Sequence, residues 1–255
     1  MDNVMASFSM LSFEGVFSYI MKGVAFTVII AVFAVFIGLV FGSVLAIARN
    51  YCTSKKTKIF KWLATGYIEL FRNTPLLLWI FICLVFCPAP SSMPKFWGLS
   101  TVEVKLMFKA VVALILFTSS VVAEIVRGGL NAVAKGQFEA GHTQGFSIVQ
   151  VMIYIVLPQA YKKIVPTLLS QVVTTIKDTS YLANVAVIEL MSRIRQIMTG
   201  AYMYNGTGTT NVSDVFVLFG LASLIYFIIN FSISCVVRHM TKEREKTNIV
   251  KPATT

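Results

Sequence analysis

The sequence predicts an all-α integral membrane protein with five transmembrane helices and a long cytoplasmic loop between helices 3 and 4. Three observations carry that prediction. Hydrophobic residues make up 56% of the 255 positions and charged residues only 13%, against about 25% charged in an average soluble domain. Apolar stretches recur along the chain, each near the ~20 helical residues that cross a bilayer core. The Lys and Arg residues fall mostly in short runs between those stretches.

The first stretch, 23–48, carries no charge. The second, 63–87, is interrupted by Glu69 and Arg72. The third, 106–126, holds Lys109 near its start and Glu124 near its end, and the fourth, 164–190, carries Lys177 and Asp178. The fifth is 215–237. Residues 1–240 read as one transmembrane domain and 241–255 as a cytoplasmic tail. The Pro- and Ser-rich segment 88–104 and the Asn205-Gly-Thr-Gly-Thr-Thr210 turn read as external loops. Asn205-Gly-Thr207 and Asn211-Val-Ser213 match a short glycosylation pattern. No strand-like alternation is present.

Five spans put the termini on opposite sides. The segments sharing the side of the C-terminus hold Arg49, Lys55, Lys56, Lys58, Lys61, Arg127, Lys135, Lys162, Lys163, Arg238, Lys242, Arg244, Lys246 and Lys251. The opposite segments hold Lys22, Lys95, Lys105, Arg193 and Arg195. That is fourteen against five, which places the N-terminus outside and the C-terminus inside. Arg193 and Arg195 run against the rule. The same distribution accounts for the net charge of +11 without nucleic acid, because no basic groove interleaves with aromatics. Cys52, Cys83, Cys87 and Cys235 lack CxxC spacing and read as small apolar packing residues. No cluster has metal-ligand spacing, and no Ser/His/Asp set suggests a hydrolase.

Two spans carry features an inert helix would not. Pro75 has no N–H, and its ring clashes with the carbonyl of Phe71, so the second span is predicted to break within the membrane. Irregular backbone at that depth survives only inside protein or beside a water-filled cavity. Glu69 and Arg72, three residues apart, can pair on one face. Two readings stand: a structural kink with a structural ion pair, or a cavity wall near a substrate or gate. Lys177 and Asp178 point about 100° apart on a helix, and a charge at the bilayer centre costs about 2.5–3.5 kcal/mol. They therefore face the bundle interior or a partner, either on a translocation path or paired with other helices.

The loop from Arg127 to Lys163 is too long for a turn. It contains Gly136-Gln137-Phe138-Glu139-Ala140-Gly141-His142-Thr143-Gln144-Gly145 and an apolar run to Leu157-Pro158. The pattern predicts a short helix, a sharp turn at Gly145 and a second helix that Pro158 ends. Small residues beside a carboxylate suit a docking helix, because they allow close backbone approach. An ordinary amphipathic loop on the membrane surface fits the spacing as well.

Here the chain resembles a known family. Ala123-Glu124 with Arg127-Gly-Gly129, Gly136-Gln137, Glu139-Ala140, Gly145 and Leu157-Pro158-Gln159-Ala160 resemble the "EAA" loop of bacterial ABC importer permeases. Phe71-Arg72-Asn73-Thr74-Pro75-Leu76-Leu77 is similar to the F-R-G-T-P-L-L segment of the polar amino acid (histidine/glutamine/opine-type) subfamily, and Lys177-Asp178-Thr179-Ser180 to its K-D-T-S segment. Lys22-Gly23, Thr27, Gly38 and Gly42 resemble its first span. The likeness runs from about residue 17 to 240, with the motifs in order. Four positions depart: Gly141 where a second Ala is usual, Gln144 where Leu is common, Asn73 for Gly, and Tyr181 for Leu.

The resemblance implies that Gln137, Glu139, Ala140, Gly141, Gly145 and Pro158 form a helix coupling the permease to an ATPase. Glu69, Arg72, Asn73, Thr74, Lys177, Asp178, Thr179 and Ser180 are the candidate substrate path. No G-x-x-x-x-G-K-[ST] phosphate loop is present, so ATP and Mg are expected on a separate subunit and no cofactor on this chain. The implied partners are a second permease copy or homologous chain, two ATP-binding-cassette ATPase subunits, an extracellular or periplasmic solute-binding protein and a polar amino acid. The implied location is the bacterial cytoplasmic membrane. An ion-coupled secondary transporter or channel is the alternative, and it has no need of a docking helix. The orientation predicts that a cysteine at position 208, in a chain stripped of native cysteines, reacts with an impermeant maleimide from outside. One at position 246 should react only after the membrane is opened. The opposite pattern overturns the topology.

Overall fold

Uncharged apolar sequence with few breakers forms long helices, because in lipid each backbone N–H and C=O must be satisfied within its own segment. The computed structural model describes residues 2–12, 14–52, 54–95, 97–204 and 208–249. The Asn205-Gly-Thr207 sequon and Lys251 of the tail lie outside the described residues. A short helix α1 (Asp2–Ser9) precedes α2 (Val16–Tyr51). Helices α3 (Lys58–Arg72) and α4 (Leu76–Phe86) are separated by Asn73–Pro75. There follow α5 (Thr101–Asn131), α6 (Lys135–Thr143), α7 (Ile148–Gln150), α8 (Leu157–Asp178), α9 (Leu190–Thr199), α10 (Ala201–Tyr204) and α11 (Val212–Ile249).

Four of these stretches, Val16–Tyr51, Thr101–Asn131, Ile148–Val185 and Val212–Lys242, are each long and apolar enough to cross a membrane. The pair α3 and α4, bent by 110° beside Pro75, is a fifth when the two are counted as one span, and α6 follows α5 in the chain. The all-α membrane class is as predicted, and the five predicted spans correspond to these four helices and the bent pair.

The fourth span differs from the predicted 164–190. Pro158 does not end a helix; the chain runs on through α8 to Asp178. The cause lies just upstream, where Val151–Val156 form a π-helical turn. The Leu157 N–H bonds the Met152 carbonyl five residues back. This wider turn accommodates a ring that would collide with the carbonyl four residues earlier, and the missing N–H with it. At the far end, Thr179–Val185 tighten into a 3-10 helix that stops at Ala186, whose φ of 55° is left-handed. Residues 186–189 are therefore outside the helix.

The described chain divides into two compact units. One comprises 1–34, 76–114 and 174–232, the other 35–75, 115–173 and 233–255. In the first, Val16 and Ile20 of α2 pack with Leu190, Ile194 and Ile197 of α9 and with Leu218 of α11. Gly23 allows this approach: a Cβ there would stand 2.9 Å from Arg193 Cγ and 3.0 Å from Leu190 Cα. In the second, Ala46 of α2 and Val122, Val126 and Leu130 of α5 pack with Val156, Ala160 and Ile164. Many large apolar side chains point outward instead, among them Phe33, Phe36, Val40 and Val44 on one side of α2 and Leu224, Phe227 and Ile228 on α11. A water-soluble monomer rarely leaves such a face uncovered; lipid or a partner helix covers it at no such cost.

The glycines separate tight contacts from open faces. A Cβ on Gly42 would meet the Ser119 carbonyl oxygen at 2.7 Å and the Ala123 nitrogen at 3.0 Å, both backbone atoms of α5. Gly66 of α3 has nothing within 4 Å. Gly42→Ala should therefore destabilise the detergent-purified chain by about 1–3 kcal/mol through overpacking. Gly66→Ala should stabilise it by up to about 1 kcal/mol through helix propensity. Denaturant titrations of the two variants check the difference in sign.

Candidate functional site

Helix α6 has an outer and an inner face. Gln137, Glu139 and Ala140 are exposed. Phe138 turns inward, its ring 6.0 Å from that of Tyr51 on α2. Gly141, which the motif grouped with the docking residues, is buried against its own chain. A Cβ there would lie 2.7 Å from Val151 Cγ2 and 3.1 Å from Ile155 Cδ1. The Ala usual at this position would fit only if the Val151 and Ile155 side chains moved, and Gly141 avoids that shift.

The turn after α6 closes at Gly145, whose φ is 82°, a value that favours glycine. Its geometry is fixed by the Phe146 N–H donating to the Gly141 carbonyl at 3.1 Å. Ser147 and Gln150 then form a reciprocal capping box at the start of α7. The Gln159 amide donates to Gln137 Oε1 at 2.9 Å, and Lys163 Nζ to the Ala132 carbonyl at 2.5 Å. Pro158 is exposed on the first turn of α8. These contacts fasten α6 to α2 and α8 within one unit.

The same unit holds a charge cluster. Glu124 of α5 is largely buried, its side chain 16% exposed. Arg49 of α2 donates to Glu124 Oε1 at 2.5 Å and to Glu69 Oε1 of α3 at 2.8 Å. Arg127 Nη2 lies 2.8 Å from Glu124 Oε2, and Arg72 Nη1 lies 3.8 Å from that oxygen. The predicted Glu69–Arg72 pair is thus replaced. Glu69 pairs with Arg49 and accepts from the Asn73 amide at 3.2 Å, while Arg72 turns to Glu124. The Thr74 hydroxyl donates to the Leu70 carbonyl at 2.6 Å. Arg49, read in sequence only as an inside charge, is the link between the two carboxylates; pairing across three helices leaves no local spacing signal.

The other unit holds the second candidate group. Lys177 is exposed and Asp178 partly buried at the end of α8. The described residues hold no ion pair from either to another helix. Thr179 is buried, its hydroxyl donating to the Ile176 carbonyl at 2.8 Å, and Ser180 is partly buried. Nearby stands a carboxylate the sequence reading passed over. Glu189 is fully buried at the N-cap of α9 and accepts from Ser192 N at 2.6 Å, Met191 N at 2.8 Å and the Tyr226 hydroxyl at 3.1 Å. Thr27 accepts from Leu190 N at 3.1 Å. A carboxylate just ahead of an apolar-periodic segment is a legible cap signal, hidden here by treating 164–190 as one span. Arg193 and Arg195 also find partners in this unit. The Arg193 guanidinium lies 3.8 Å from the centre of the Tyr19 ring, and Arg195 donates to Asn184 Oδ1 at 3.0 Å.

Residues 38–246 match the family described as binding-protein-dependent transport system inner membrane component. A probable glutamine ABC transporter permease protein of Bacillus subtilis (strain 168) is 33% identical over 233 residues, 91% of this chain and 95% of the relative. A glutamate/aspartate import permease protein of Escherichia coli is 30% identical over 227 residues, 88% and 92% of the two chains. A solved structure of an amino acid ABC transporter with histidines superposes with a TM-score of 0.69 at 24% identity, covering 92% of this chain and 98% of the other. That likeness speaks for the fold.

Removing Glu124 should leave Arg127 without its carboxylate and Arg49 with Glu69 alone in a partly buried site. Glu124→Ala is expected to destabilise the purified chain by about 3–5 kcal/mol. Glu69→Ala, at a side chain 48% exposed, should cost about 1 kcal/mol or less. Equal unfolding midpoints for the two variants would remove Glu124 from the centre of the cluster.

Proposed function

Since the chain belongs to the family of binding-protein-dependent transport system inner membrane components and is a permease subunit of an ATP-binding-cassette importer, we propose that it forms half of a translocation pathway for polar amino acids and takes its energy through α6. The relatives named for glutamine and for glutamate and aspartate, matched over most of their length, support that substrate class. Importers of this family assemble permease and ATPase subunits. In this proposal the partners are a second permease chain, two ATPase subunits carrying ATP and Mg, and an external solute-binding protein. The chain is an integral membrane protein, and the proposed orientation puts α6 on the cytoplasmic face of a bacterial membrane.

The observation that carries the proposal is the two-faced character of α6. Its outer residues Glu139 and Ala140 are exposed and can meet a groove, while Phe138 and Gly141, together with the bond from Gln159 to Gln137, lock it to the unit beneath. Gly145 enters as the residue that shapes the turn. Gly141 supports the helix from inside. Glu69, Arg72, Asn73 and Thr74 beside the broken span, and Lys177, Asp178, Thr179 and Ser180 at the end of α8, are the proposed substrate path.

Ala140→Trp should overfill the presumed groove, and Gly145→Val should strain a turn held at a φ of 82°. Both lie outside the spans, so both variants should reach the membrane at normal levels. Both should lose most ATP-driven amino acid uptake in vesicles containing the full transporter. Wild-type uptake by both, at equal membrane abundance, would show that α6 is not the coupling element.

A further inference from the structure

One charge in the cluster makes no short contact with a carboxylate. Glu69 Oε1 is taken by Arg49 and Oε2 by the Asn73 amide. Glu124 Oε1 is taken by Arg49, and Oε2 accepts from Arg127 Nε at 2.9 Å, with Arg127 Nη2 2.8 Å away. Arg72 reaches that last oxygen only at 3.8 Å, too far for a hydrogen bond. Three guanidinium groups against two carboxylates leave the cluster one positive charge in surplus, and Arg72 is where it resides. Its side chain is 43% exposed. It is the last residue of α3, directly ahead of the break at Asn73–Pro75.

A surplus charge in a membrane-spanning segment is costly without a counter-ion, and the planar guanidinium fork suits a carboxylate held by two parallel bonds. We propose that Arg72 is the receptor for the α-carboxylate of the transported amino acid; this rests on the importer function proposed above. Two observations favour that anion. The two relatives cited are named for glutamine and for glutamate and aspartate, whose charged features in common are the α-amino and α-carboxylate groups. And an anion can join and leave Arg72 without breaking any short contact, because Glu69 and Glu124 remain satisfied by Arg49, Arg127 and Asn73. A group that must release its ligand during each transport cycle needs that independence.

The test compares each amino acid with its own α-carboxamide, which keeps the side chain and the amine but loses the charge Arg72 would bind. The chain is purified with its co-expressed partner subunits and placed in lipid nanodiscs; ATP-dependent uptake is first established in vesicles. Equilibrium binding of glutamine, glutamate and aspartate is then measured against the corresponding α-carboxamides. The wild type should prefer the acids by about tenfold or more, the worth of a charged hydrogen-bonded contact. Arg72→Gln should bring that ratio close to one, and Arg72→Lys should keep part of it. A merely structural role would weaken acid and carboxamide alike. An undiminished preference in Arg72→Gln overturns the proposal. So does retained preference accompanied by loss of bound phosphatidylglycerol in native mass spectra, which would assign Arg72 to a lipid phosphate. ATP-dependent uptake with no acid preference in the wild type refutes the role of Arg72 alone. No uptake of any amino acid refutes the substrate assignment and the Arg72 proposal together.

Discussion

Glu124 is the point on which one half of the bundle depends. Arg49, Arg127 and, at longer range, Arg72 converge on this largely buried carboxylate. Arg49 carries the network on to Glu69. Helix packing within a membrane gains little from the hydrophobic effect, since lipid is as apolar as the side chains. Orientation among helices then rests on close small-residue contacts and on polar groups that have a single good partner arrangement. Around Glu124 both operate: Gly42 of α2 meets the α5 backbone at Ser119 and Ala123, and one turn further on the charges fix the register. The other half uses the same logic with different residues. Gly23 brings α2 onto α9, and Thr27 and Glu189 satisfy the first amides of that helix.

Much of this was legible in sequence. The span count followed from stretches of uncharged residues, which need no tertiary information, and the break of the second span from Pro75, a local steric rule. The left-handed turn at Gly145 lay within reach of the same kind of argument. The glycines of the first span entered only as part of a family resemblance; the structure supplies their reason, a backbone of α5 or α9 at contact distance.

Features set by distant partners were not legible. Glu69 and Arg72 are correctly spaced to pair, yet Glu69 pairs with Arg49 on another helix and Arg72 stands 3.8 Å from Glu124. Pro158 carries the signal of a helix stop, a rule for α-helical turns, but the turn ahead of it is π-helical. Glu189 was absorbed into an apolar stretch, although it ends one element and begins the next. Nothing local in the sequence tells that Gly141 faces inward, because burial of a glycine depends on what stands opposite, here Val151 and Ile155.

The π-helical turn at Val151–Val156 sets the angular phase between two parts of the chain. Such a turn holds one residue more than an α-helical turn would, and each helical residue advances by about 100°. Everything downstream of Leu157 is therefore rotated by roughly that angle relative to a continuous α-helix. Val151, which seats α6, and Ala160 and Ile164, which seat α8 against α5, all face the core of one unit only because of this offset. Were the wide turn to tighten, these two sets of residues would point to different sides of the helix. The rotational setting of the fourth span thus depends on six residues, and a proline that seemed to end the helix marks where that setting is made.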